Sequence, residues 1–292
     1  MRNFDYLKGN EHLMPLYNFC NEAEVNQICD PEKSALNGRK ALEWLTRTIY
    51  GLKNIHIEER TSLYTLVCGE PFTSFIEDKQ IMMGVHYIRK AGNNAAHTGS
   101  VKRSESFFSL LNLYNFVGSV LVKLQVIDNY APFNKELIPH YAPIRKVEKS
   151  STVPTEEFIG SIKIENIPDR PVQAHPLEIN EAETRKLFID MMLKEAGWDV
   201  LETEGAIQGL KACIEVEVEG MPNNAGVGYA DYVLFGANGK PLAVIEAKRT
   251  SVELSAGRNQ AKLYADCLEK KYGVRPVIYC SNGYRTEVVD GL

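Results

Sequence analysis

The chain has 292 residues, of which 44% are hydrophobic, and its 33 basic and 38 acidic side chains leave a net charge of −5. Length and apolar content suit a globular protein of two domains, each with its own core. The acidic balance argues against a free-standing DNA binder, because neutralising phosphates takes an excess of Lys and Arg.

No apolar run approaches the ~20 residues needed to span a bilayer, and the first residues lack a basic stretch followed by an apolar core. Neither membrane insertion nor secretion is expected. The six cysteines (Cys20, Cys29, Cys68, Cys213, Cys267, Cys280) show no CxxC spacing. They read as reduced thiols of a cytoplasmic protein without structural zinc.

In chain order, residues 1–145 read as an α-helical bundle. Ala41, Leu42, Leu45, Ile49 and Leu52 form one apolar stripe at helical spacing, and further helices are predicted over 75–89 and 106–125. Residues 1–150 hold 18 basic and 16 acidic side chains, against 15 and 22 for 151–292. From about 129 to 176 the pattern dissolves into prolines and polar residues, which predicts a linker, placed at 146–175 between the two domains.

The second domain, 176–292, opens with a helix over 180–195, with Asn180 as N-cap, Glu183 at the third helical position and Gly197 as terminator. Ile214, Val216 and Val218 alternate with Glu215, Glu217 and Glu219, as in a half-buried strand. Strands over 231–235 and 242–247 flank Gly236, Asn238 and Gly239, a turn that makes them an antiparallel hairpin. A helix over 253–272 and a short strand over 276–280 complete an α/β pattern.

Asp231 opens the first hairpin strand, and Glu246 and Lys248 stand two apart on the second, so they share a face. Pairing the strands brings two carboxylates and one ammonium together. Hard carboxylate oxygens hold Mg²⁺, and a neighbouring lysine steadies a nucleophile or a developing charge. Taken alone, Glu246 and Lys248 read more readily as ordinary solvent-facing residues at a strand end. Against that stands the burial cost of a carboxylate that ends the apolar run LAVIEAKR without a partner.

These residues resemble the PD-(D/E)xK nucleases, with Asp231 as the motif aspartate, Glu246-Ala247-Lys248 as (D/E)xK, and Ala230 where the motif has proline. Gln260 and Tyr264 form a QxxxY element on one helix face. The ordered segments NEAETRKLFIDMMLKEAGWDV, GYADYVLF, AVIEAKR, QAKLYAD and VIYCSNG resemble the nuclease domain of type I restriction enzyme R subunits over about 176–292.

That resemblance implies a restriction-endonuclease-like α/β core with a central mixed sheet flanked by helices. It implies a Mg²⁺ site at Asp231, Glu246 and Ala247, catalysis by Lys248, and positioning by Gln260 and Tyr264. Glu183 would add a carboxylate or act only as a cap. It also implies DNA as substrate, and methylase and specificity subunits as partners. No GxxxxGK[ST] loop is present, so ATP would act only through a motor beyond Leu292, and the chain reads as an N-terminal fragment.

The stretch from Arg89 to His97 resembles a helical domain of unknown function often fused to such subunits, and distantly the HEPN-type domains. Seven residues between Arg89 and His97 exceed the ribonuclease spacing, so a structural network at a helix end near Gly92 and Asn93 is expected. Two other functions stay open: an inactive nuclease fold used for assembly, and a stand-alone defence nuclease.

Overall fold

The computed structural model describes residues 2–58, 60–97, 100–140, 150–169, 172, 185–201, 210–249, 253–283 and 285–289. Two compact units divide at residues 175 and 176.

The first unit is helical: α1 (Met14–Asn26), α2 (Pro31–Leu52), α3 (Leu63–Cys68), α4 (Glu70–Ile76), α5 (Lys79–His97), α6 (Arg103–Lys123) and α7 (Glu156–Ser161). Local chemistry sets the ends. Asp30 accepts the Lys33 N–H at 2.9 Å ahead of Pro31, so α2 starts with a capped turn and a residue that needs no donor. Where one helix over 75–89 was expected there are two, because Glu77 sits at φ 56° and Asp78 recaps the chain by accepting from the Ile81 N–H at 2.8 Å.

Helix α6 is the core of this bundle. By length and composition its 21 residues could cross a membrane, which corrects the expectation that no such apolar run exists. Most of its residues are instead buried in the protein. Its polar side chains turn inward onto the protein: Asn112 donates to the Phe108 carbonyl at 2.8 Å and Ser119 to that of Asn115 at 2.6 Å.

Much of the expected linker is packed. Thr155 caps α7, whose Phe158 is fully buried with its ring 5.1 Å from that of Trp44 on α2. Val172 is buried and donates its N–H to the Ile76 carbonyl at 3.2 Å. Among the described residues of this stretch the longest helix is the six-residue α7, and three apolar residues, Phe158, Ile162 and Val172, pull the segment onto the bundle.

The second unit is an α/β structure built on a mixed sheet of six strands in the order β1 (Asp199–Leu201), β2 (Lys211–Glu219), β3 (Val227–Phe235), β4 (Pro241–Ala247), β5 (Val277–Ser281), β6 (Thr286–Val288). The pairs β1–β2 and β4–β5 are parallel and the others antiparallel. Helix α8 (Asp190–Glu195), entered through a π-helical turn at Arg185–Ile189, packs on one face through Ile189 and Leu193. Helix α9 (Ser255–Tyr272) packs on the other through Ala261, Tyr264, Ala265 and Leu268.

The hairpin forms as expected, with Gly239 at φ 70° in its turn. Asp231 lies inside β3 rather than opening it. Strict alternation also breaks on β2: Cys213, Val216 and Val218 join the α9 cluster, while Ile214 packs on the opposite face. Glu215, at φ 52°, absorbs the switch of faces.

Candidate functional site: a carboxylate pair at the β3–β4 junction

Tyr232 pairs with Ile245 and Val233 with Val244, so the antiparallel register carries Asp231 to the level of Glu246. The strands are tied there by the Ala247 N–H, which donates to Asp231 Oδ2 at 2.7 Å. Asp231 Oδ1 accepts from Arg185 Nη1 at 3.1 Å.

Glu246 alternates with Val244 and so faces α9, where it is only 2% exposed. Burying a carboxylate is costly unless a cation accompanies it. Lys248, two residues on, places Nζ 2.7 Å from Glu246 Oε1. The solvent-facing alternative for these two residues is thereby excluded. Lys248 is itself held by its main chain, whose N–H donates to the Ser281 carbonyl at 2.8 Å.

Helix α9 closes over this pair. Gly257 supplies the clearance: a Cβ there would meet Lys248 Cε at 2.9 Å and Glu246 Cγ at 3.0 Å. One turn on, Gln260 Nε2 donates to Tyr264 Oη at 2.8 Å. The Tyr264 ring is buried against Gly228 of β3, where a Cβ would lie 2.7 Å from Cε1. Burial, and after it the charges of Glu246 and Asp231, push its hydroxyl pKa up. Beyond the pair, Cys280 faces Glu246 across β4–β5, and burial followed by that carboxylate raises its thiol pKa.

Asp231, Glu246, Ala247, Lys248, Gln260 and Tyr264 thus converge on one junction of two strands and one helix. Glu183 lies outside the described residues. Among the described residues no three acidic, histidine or cysteine side chains converge as a metal site. Two neighbouring carboxylates still fit the donor chemistry of Mg²⁺, which commonly takes one or two carboxylates and completes its shell with water and substrate phosphate.

Sequence reasoning missed Arg185 and Gly257. Arg185 stands two residues after Glu183, but nothing in its spacing points to Asp231. In the helical unit, Arg89 stacks its guanidinium 4.9 Å from the Tyr64 ring and His97 is the exposed last residue of α5. The helix does not end near Gly92, which is buried where a Cβ would meet Arg39 Cβ at 2.3 Å. That corrects the expected helix end: Gly92 marks a close crossing with α2.

Fold and junction together define an α/β unit that gathers two carboxylates and a lysine where a hairpin meets a helix. Residues 210–290 match the family described as Type I restriction enzyme R protein N terminus. A stretch of 103 residues, 33% of the chain, is 34% identical to the Type I restriction enzyme EcoKI endonuclease subunit of Escherichia coli (strain K12). The chain spans 9% of that relative. No solved structure matches. Over residues 210–290 the α/β unit is thus similar to the N-terminal region of type I restriction enzyme R proteins.

Proposed function

We propose that the α/β unit is the Mg²⁺-dependent endonuclease domain of such a subunit, with a PD-(D/E)xK core, cutting DNA phosphodiester bonds. The observation that carries this reading is the register of Asp231 beside a buried Glu246 whose carboxylate is paired with Lys248.

Asp231, Glu246 and the main chain of Ala247 would hold the metal, which when bound supplies Lewis-acid polarisation of a phosphate oxygen and a more acidic water. Lys248 keeps a positive charge at the edge of the carboxylate pair, where it stabilises charge developing on phosphorus oxygens. Tyr264 and Gln260 wedge α9 against β3 and keep the lysine-bearing strand in place. The acidic balance fits DNA delivered by partners, with methylase and specificity subunits selecting the site and an ATP-driven motor supplying the strand. The helical unit serves as an accessory domain, and the working compartment is the cytoplasm.

A second reading, an assembly module with an idle nuclease fold, draws on the two cations, Arg185 and Lys248, that already neutralise the carboxylates. Calorimetric titration of Mg²⁺ or Mn²⁺ into the chain and into Asp231→Ala, each with duplex DNA, followed by a nicking assay, separates the two. Metal binding and nicking lost together in the variant support the nuclease. Identical behaviour of both proteins supports the assembly module.

A further inference from the structure

We propose that Arg185 is a positioning residue that holds the cation place at Asp231 in the metal-free protein and competes with the divalent metal for it. This rests on the metallonuclease reading above.

One guanidinium spans two carboxylates. Nη1 lies 3.1 Å from Asp231 Oδ1 and Nη2 lies 3.0 Å from Glu215 Oε1. Those residues face each other across β2–β3, between the pairs Ile214–Tyr232 and Val216–Ala230. Asp231 Oδ2 accepts from the Ala247 N–H and Oδ1 from Arg185, so a metal arriving at this carboxylate meets the guanidinium already there. The Arg185 and Asp231 side chains are 17% and 13% exposed, which leaves their attraction only partly screened by water.

Two features of the backbone mark this as a built arrangement. Glu215 keeps a left-handed conformation, φ 52°, that strains a non-glycine residue and persists only where its surroundings enforce it. Arg185 is the first residue of a π-helical turn, a geometry frequent at functional sites. Tightening that turn to α geometry would turn Arg185 by up to about 100° around the helix axis, which is the proposed route for the guanidinium to leave Asp231. Arginine suits the role because its planar guanidinium presents its donors in a fixed fork, whereas an ammonium is a point charge on a flexible stem.

The test is Mn²⁺ affinity of the full chain without DNA, read from the paramagnetic resonance signal of free Mn²⁺, for wild type, Arg185→Met, Arg185→Lys and Asp231→Asn. Arg185→Met should bind Mn²⁺ about tenfold tighter or more, from the worth of a charge-assisted contact, with Arg185→Lys between it and wild type. Mn²⁺ should also speed amide hydrogen exchange over 185–189 in the wild type and leave it unchanged in Asp231→Asn. A residue that only braces Asp231 would give the opposite sign, weaker binding in Arg185→Met. Equal or weaker binding by that variant, or unchanged exchange in the metal-saturated wild type, overturns the competitor role while Asp231-dependent binding keeps the nuclease reading. No Mn²⁺ binding by any of the proteins overturns both.

Discussion

Gly257 and Lys248 stand so close that a single methyl group on the glycine would lie 2.9 Å from the lysine Cε. Helix α9 can sit over the Glu246–Lys248 pair only because this position lacks a side chain. Gly257→Ala should therefore push the end of the lysine, the flexible partner, off Glu246 while leaving the fold intact. If the unit is the proposed nuclease, cleavage by the assembled enzyme should fall about tenfold or more, given how steeply catalysis depends on placement. The thermal midpoint should barely move. Full activity in the alanine variant would remove Lys248 placement from the mechanism.

Glu246 and Lys248 form a partly hidden ion pair, with side-chain exposures of 3% and 14%. Lys248→Met takes the ammonium from a buried carboxylate and should destabilise the chain by about 3 kcal/mol in urea unfolding. Glu246→Gln in that background should recover most of the loss, because the neutral amide is cheaper to bury. Additive effects of the two changes would mean that the pair is not coupled.

Phe158 tests whether the proline-rich segment belongs to the bundle. Its ring is fully buried against Trp44, and Ile159 approaches Gly51, where a Cβ would meet its Cδ1 at 2.5 Å. Phe158→Ala should cost about 3 kcal/mol in the unfolding of the helical unit. A free linker would show no change.

Glu24 is fully buried in α1 and accepts from the Asn3 N–H at 3.1 Å and from Asn3 Nδ2 at 2.8 Å. Burial outweighs these donors and raises its pKa above the ordinary value of 4.5. A carboxyl group with a raised folded pKa stabilises the fold below its unfolded pKa, and that contribution is lost as pH rises through the folded value. Glu24→Gln should thus have a higher thermal midpoint than wild type at pH 7, with the gap narrowing as pH falls towards 4.5. A gap that stays constant with pH would show that Glu24 ionisation does not limit stability.

Local sequence determined the longer helices and the partners in the hairpin. Apolar period and the turn glycine Gly239 act over a few residues, and so they were legible in one dimension. The ordering Asp231, Glu246, Lys248, Gln260, Tyr264 was legible for the same reason: strand and helix spacing places each residue on a face. Tertiary structure decided the rest. A short apolar segment such as 156–162 has no period to show that it will pack on Trp44, and the face switch at Glu215 appears only when β2 is held between β1 and β3. The Arg185 contact with Asp231 joins residues 46 positions apart, and the clearance at Gly257 exists only once α9 has docked on the sheet. Contacts of that kind are set by how elements pack, which no local pattern encodes.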